Sequence, residues 1–487
     1  MSNVLKGLEP GGVFKFFEDI CAIPHGSGNV KGLSDYCVAF AKERGLEVFQ
    51  DEAWNVIIKK PASPGMENAP GVIIQGHLDM VCEKNADVDF DFEKDGLRLA
   101  VDGDEVHAQG TTLGGDDGIA VAMGLAILDD PALVHPPLEI LFTTEEETGM
   151  DGAQYLDCSR LSAKYLINID SEEEGVITAG CAGGLKSHAT LPVQWMAFEG
   201  TECRLDVSGL LGGHSGTEIH LGRANANKLM GRLLFGLNKE IDFGLVYVQG
   251  GAKDNAIARE AKAKLVIPQD QLGRAKEIID ACAQDIKNEY RTADPGVCIA
   301  FTEGAAYEGD AMTFASAQKV IYLLLNTPYG VQSMSAELPG LVESSLNLGV
   351  VTMDEESVTL TWALRSSVSS RKWLINDQLM YMTEMLGGTY TYGGDYPAWA
   401  YRSQSQLRDL AVGTYEDMFG KKPQVCTIHA GLECGLFAEK MPQADMISIG
   451  PDIKDIHTPG ERLSISSTKR TYEYVCQMLK SFGRLEQ

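Results

Sequence analysis

The side chains best suited to chemistry lie at the ends of apolar runs. Val72-Ile73-Ile74 leads through Gly76 to His77 and Asp79. LEILFTT runs into Glu145, Glu146 and Glu147, and YLINI runs into Asp170. MISIGPDIKDI reaches His457, and GTTLGGDDG sets Asp116 and Asp117 just before the apolar segment GIAVAMGLAIL. In an open parallel sheet, ligands collect beyond the carboxyl ends of the strands. A lone Asp or Glu after a strand is more often a turn residue or a helix cap. Several of them buried together repel one another, which costs several kcal/mol unless cations compensate.

Charge counting suggests how many cations. With His77, Asp116, Glu147, Asp170 and His457 as ligands, three carboxylates and two neutral imidazoles carry −3; one divalent ion leaves −1, and two leave +1, which one hydroxide neutralises. Spacing alone does not choose among Glu145, Glu146 and Glu147. Imidazole and carboxylate without thiolate suit zinc, manganese or cobalt, and paired ions favour activation of a water held between them. Asp79 is placed to accept the free N–H of His77, fixing its tautomer.

The elements that must position these groups fall into three stretches. From 1 to 186, short apolar strands alternate with helical patterns such as GVFKFFEDICAI and VKGLSDYCVAFAKERG, which predicts an α/β fold with a mixed, largely parallel sheet flanked by helices. From 187 to 398 the texture becomes α+β. Half-buried strands (CRLDVSGL, AKAKLVI, VTLTWALRS) are interleaved with amphipathic helices (ANANKLMGRLLFGL, FASAQKVIYLLL), which predicts an antiparallel sheet with helices on one face. From 399 to 487 the α/β pattern returns, so the middle stretch reads as an insertion into the first domain.

Composition narrows the function. A net charge of −28 offers no basic stripe for nucleic acid and no attraction to anionic lipid. No apolar run reaches the ~18 residues of a membrane span, and no signal-peptide layout opens the chain. The eleven cysteines are scattered with no Cys-x-x-Cys pair, which suggests small buried hydrophobes rather than a disulfide framework. These features together point to the cytoplasm. No glycine-rich phosphate loop follows a strand, which argues against a nucleotide cofactor.

With QGHLDMV, GTTLGGDDGI, TEEETGMDGA, INIDSEEEG, GCAGG, GGHSG, NANKL, HAGLECGLF and SIGP in order, the sequence resembles the aminoacyl-histidine dipeptidases of the aminoacylase/carboxypeptidase superfamily of two-metal peptidases. The resemblance covers nearly the whole chain. It implies a metal-dependent exopeptidase fold with an inserted lid domain, a dipeptide substrate of the Xaa-His type including beta-alanyl-histidine, and a possible homodimer. By motif register it implies that Asp116 bridges two metals, His77 and Asp170 completing one site and Glu147 and His457 the other. Glu146 becomes the general base and Asp79 the residue that orients His77. His214 is implied to stabilise the oxyanion, and Asn255 and Arg365 to hold the substrate carboxylate. His429 and Glu433 also fall near the site by this resemblance. Asp117 departs from the pattern, where Asn is common, and adds a charge beside the bridging carboxylate. A broad dipeptidase, tripeptidase or aminoacylase of the same superfamily is the neighbouring reading, and a non-catalytic metal-binding scaffold the one from another class.

Overall fold

The computed structural model describes residues 4–336 and 338–485. The chain divides into two compact units, one of Met1–Cys181, Trp399–Thr427 and Leu432–Gln487, the other of Ala182–Ala398 and Ile428–Gly431. The first division falls at 181/182, where the sequence suggests 186/187. Residues 182–186 lead into the strand Gly183–Pro192, whose partners belong to the second unit. The short return of Ile428–Gly431 to the second unit carries no signal in composition.

The first unit is built on an eight-stranded sheet. Its order is Glu47–Gln50, Val56–Lys60, Leu138–Thr143, Val72–His77, Tyr165–Asn168, Asp445–Ser448, Val176–Cys181 and Gln424–Ile428. The four central strands, Leu138–Thr143 to Asp445–Ser448, are mutually parallel, and Glu47–Gln50, Val56–Lys60 and Val176–Cys181 join antiparallel. Val72–His77 and Leu138–Thr143 are buried at every position, which is why both read as largely apolar runs, interrupted by Gln75 and Glu139, rather than as alternating ones. Each fully buried Val or Ile here contributes roughly 1.5–3 kcal/mol by leaving water. The helix Gly115–Asp129 is buried along nearly its whole length and packs on Val72–His77. It has no polar stripe because neither flank meets solvent.

The second unit holds a nine-stranded sheet. The main path is Cys298–Met312, Trp195–Ser208, Ala261–Ile267, Gly244–Gly250, Val342–Met353, Ser357–Ser366, Gly183–Pro192 and Thr389–Tyr396, and Gly330–Met334 pairs with Val342–Met353. Every one of these pairings is antiparallel. In Ser357–Ser366 the buried residues Val358, Leu360, Trp362 and Leu364 alternate with more exposed ones, as a sheet covered on one face requires. Leu233, Leu324, Leu360 and Trp362 share one core, joining the helices Ala226–Asn238 and Phe314–Asn326 to that face.

All eleven cysteines are free. Cys82 and Cys298 are exposed, against the expectation of buried hydrophobes. Among the described residues no helix is long and apolar enough to cross a membrane.

Candidate metal centre

The parallel strands all deliver their ligands at the same edge of the sheet. His77 is the last residue of Val72–His77, Glu146 and Glu147 follow Leu138–Thr143, and Asp170 follows Tyr165–Asn168. Asp116 precedes the regular part of its helix, since its backbone and that of Asp117 are not helical. His457 arrives on the loop beyond Asp445–Ser448.

Among the described residues, three groups of potential ligand atoms gather within 4.8 Å: His77 with Asp116 and Asp170, Asp116 with Glu147 and His457, and His77 with Glu146 and Glu147. Asp116 belongs to two of them and offers a different oxygen to each. Its Oδ1 lies 3.2 Å from His77 Nε2, and its Oδ2 lies 3.2 Å from His457 Nε2. Asp170 Oδ1 lies 3.6 Å from His77 Nε2, and Glu147 Oε1 lies 3.0 Å from His457 Nε2.

These residues fit divalent cations. Glu147 Oε1 is buried and has no hydrogen-bond partner among the described residues, although His457 Nε2 lies beside it. His77 Nδ1 sits 2.9 Å from the backbone oxygen of Asp79, which places its hydrogen there and turns the Nε2 lone pair toward two carboxylates. Lone pairs facing one another need a positive charge between them.

The crowded carboxylates also shift the acidity of their neighbours. Burial alone would lower the His77 pKa, but Asp116, Asp170 and Asp79 raise it well above the usual range. Asp116 and Glu147 push half-exposed His457 up to about 10. Burial would raise the Asp116 carboxyl, yet His457 and His77 hold it well below its usual range. Asp170 is pushed up to about 6 by burial, which His77 only partly offsets. Glu146 keeps some contact with solvent, but its carboxyl is crowded; burial and the charges of Asp170, Glu433 and Glu147 raise its pKa well above normal.

The three consecutive glutamates separate. Both carboxylate oxygens of Glu145 accept the Gly28 N–H, at 2.9 and 3.0 Å, and Glu145 lies outside the ligand groups. Asp79 differs from expectation. Its backbone carbonyl, not its carboxylate, is the close partner of His77 Nδ1, since Oδ1 is 3.5 Å away. The carboxylate instead accepts the N–H groups of Glu146 and Glu147, at 3.0 and 3.3 Å, and the Ser27 hydroxyl at 2.9 Å. Asp79 therefore anchors the turn carrying the glutamates as well as the imidazole. Burial, then Asp170, push the Asp117 pKa well up, and its Oδ2 accepts the His77 backbone N–H at 3.1 Å.

Two residues of the surround had weak or no sequence signal. Glu433 is fully buried; its Oε2 accepts from Gln75 Nε2 at 2.6 Å and Thr143 Oγ1 at 2.7 Å, and burial raises its pKa to about 7. Glu461 is buried against the loop that carries Asp116. Only its position four residues beyond His457 could have drawn attention to it.

The second unit gathers the remaining predicted residues. His214 Nδ1 accepts the Thr217 N–H at 3.1 Å, so the neutral ring carries its hydrogen on Nε2. Arg365 Nη2 lies 3.4 Å from that nitrogen, and its Nη1 donates to the Tyr396 hydroxyl at 2.9 Å. His214 and Arg365 thus aim donors at the same region. Burial and Arg365 lower the His214 pKa to about 4, keeping the ring neutral. The Asn255 backbone carbonyl accepts the Ser215 N–H at 2.9 Å, and the Asn255 side chain is exposed. His429 Nε2 lies 2.7 Å from Ser345 Oγ.

A mixed sheet whose parallel strand ends converge on clustered imidazoles and carboxylates, Asp116 shared between two of the clusters, is the architecture of a metal-dependent exopeptidase. Residues 73–481 match the model of Peptidase family M20/M25/M40, and the chain belongs to that family; it is a peptidase. It is 41% identical over 478 residues to the cytosol non-specific dipeptidase of Escherichia coli K12, covering 98% of each chain. The crystal structure of the aminoacylhistidine dipeptidase from Vibrio alginolyticus superposes with a TM-score of 0.91 at 39% identity, covering 99% of this chain and 98% of that one. A tripeptidase from Staphylococcus aureus has the same fold at 15% identity, with a TM-score of 0.57 and coverage of 98% and 100%.

Proposed function

We propose that the chain is a cytosolic metallodipeptidase that hydrolyses Xaa-His and related dipeptides, beta-alanyl-histidine among them. The observation that carries this reading is Asp116, whose two oxygens face two separate imidazoles and so suit two cations. Its near full-length similarity to two dipeptidases supports the substrate class.

In this reading His77 and Asp170 would hold one cation, Glu147 and His457 the other, and Asp116 both. When bound, two divalent ions, zinc by preference, would supply polarisation of the scissile carbonyl and acidification of a water. Glu146 removes the proton from the attacking water and later returns one to the leaving amine. Asp79 keeps Glu146 in place through the Glu146 N–H and keeps His77 turned by its own carbonyl. In the second unit His214 offers an Nε2–H donor of the kind that stabilises a carbonyl oxygen as negative charge develops. Arg365 and Asn255 hold the terminal carboxylate, for which a planar guanidinium is well shaped. Binding both substrate ends limits length.

A panel of dipeptides, tripeptides and N-acyl amino acids tests the assignment. Hydrolysis of free-amine dipeptides, fastest with C-terminal histidine, is expected; preference for N-acyl amino acids would overturn it. Equal rates across dipeptides would establish broad specificity instead, the alternative that the name of the Escherichia coli relative favours.

A further inference from the structure

Glu461 is almost fully buried, and its carboxylate faces four successive backbone N–H groups. Those of Leu113 and Gly114 lie 2.7 and 3.1 Å from Oε2, and those of Gly115 and Asp116 lie 2.8 and 3.4 Å from Oε1. Successive N–H groups curled in this way form an anion-binding nest, here filled by a side chain of the same protein. Glycine makes the approach possible. Gly114 has φ +65°, and a Cβ at Gly115 would come within 3.2 Å of Glu461 Oε1.

The other end of Glu461 belongs to the turn that carries His457. Its N–H donates to Thr458 O at 3.1 Å, and the Thr458 hydroxyl donates to Asp455 O at 2.7 Å. Beyond it, Arg462–Ser464 pairs with Glu105–Ala108 in a separate small sheet. One residue therefore joins the Asp116 loop to the His457 turn, although 345 residues separate Asp116 from Glu461.

We infer that Glu461 is a positioning residue of the metal centre: by clamping the backbone of Leu113–Asp116 to the His457 turn, it sets the Asp116–His457 spacing and thereby the affinity of the cation site those two share with Glu147. The inference rests on the two-cation reading above. The other site depends on Glu461 less, because His77 and Asp170 follow strands that pair directly, Val72–His77 with Tyr165–Asn168. In Glu461→Gln an amide NH2 would face N–H donors, leaving two of the four without an acceptor.

The test is calorimetric titration of metal-stripped protein with Zn²⁺ alone, alongside thermal unfolding with and without Zn²⁺. His457→Ala marks which binding step belongs to its site. In Glu461→Gln that step is expected to weaken by about 10–100-fold, the usual effect of losing a partner that orients a ligand. The other step stays within about threefold, and the Zn²⁺-induced rise in Tm shrinks. Glu461→Asp keeps the charge but withdraws the oxygens, so it should show the same selective loss if the glutamine variant fails to fold. A lowered Tm of the stripped protein with both affinities and the Zn²⁺-induced rise unchanged would make Glu461 merely structural and overturn the inference. Failure of the unaltered protein to bind a pair of Zn²⁺ ions would instead sink the two-cation reading, and the inference with it.

Discussion

His457 Nε2 lies 3.2 Å from Asp116 Oδ2, although 341 residues separate the two in the chain. The opposite oxygen of Asp116 faces His77 at the same distance. A single carboxylate flanked by two imidazoles, with Asp170 and Glu147 completing the two groups, makes sense chemically when positive charge sits on both sides of it.

Glu146 is expected to matter for turnover rather than for metal. Glu146→Ala should retain both cations and lose about 10²–10⁴-fold in kcat, the range for a general acid–base. Metal content and single-substrate kinetics on the same preparation check this. Unchanged turnover would remove Glu146 from the reaction.

Arg365 is expected to read the substrate's free carboxylate. A lost charge-assisted hydrogen bond is worth about 1.5–3 kcal/mol, so Arg365→Ala should lower kcat/KM by about 10–100-fold for ordinary dipeptides. C-terminally amidated dipeptides should be affected far less. Equal losses on both would place Arg365 in packing rather than recognition, through its bond to Tyr396.

Much of the centre was legible because buried parallel strands announce themselves as apolar runs, and a charged side chain at the end of such a run is conspicuous. Val72–His77, Leu138–Thr143 and Tyr165–Asn168 all follow this pattern. Other elements gave little signal. Val176–Cys181 and Gly183–Pro192 run through GCAGG, where glycines mask strand character. Thr389–Tyr396 is a mostly exposed edge strand without apolar alternation. The role of Asp79 was half visible: a carboxylate two residues from a histidine suggests that it orients the ring, but the grip on Glu146 and Glu147 arises from sequence-distant backbone. Glu461 lies in HTPGERLS, which reads as an ordinary loop, because backbone N–H groups are invisible in side-chain types.

Gly76 leaves no room for a side chain. A Cβ there would lie 2.5 Å from both Ala120 Cβ and Asp117 Oδ2. Gly76→Ala should therefore cost about 1–3 kcal/mol of stability by overpacking, measurable by denaturant unfolding. It should also weaken metal binding, since His77 is the next residue. A neutral effect on both would contradict the close packing of the Asp117 segment on this strand.

His429 should make the protein acid-sensitive. Burial, then the charge of Arg365, lowers its pKa to about 3, from an ordinary histidine value of about 6.5. Between those values the unfolded chain holds more protons, so stability falls as pH drops, by up to about 1.4 kcal/mol per pH unit. Urea unfolding from pH 7 to 4 should show a shallower slope in His429→Gln, which keeps a hydrogen-bonding group for Ser345. Identical slopes would mean that His429 takes up its proton as readily in the folded state as in the unfolded chain.

The central claim is that Asp116 holds two cations at once. Metal content by elemental analysis, measured beside dipeptide hydrolysis in the unaltered protein and in Asp116→Ala, tests it most directly. The expected result is two divalent ions per chain with activity in the first, and fewer than two with activity lost in the second. Full hydrolysis by protein carrying one ion or none, or an Asp116→Ala variant that keeps both ions, would contradict it.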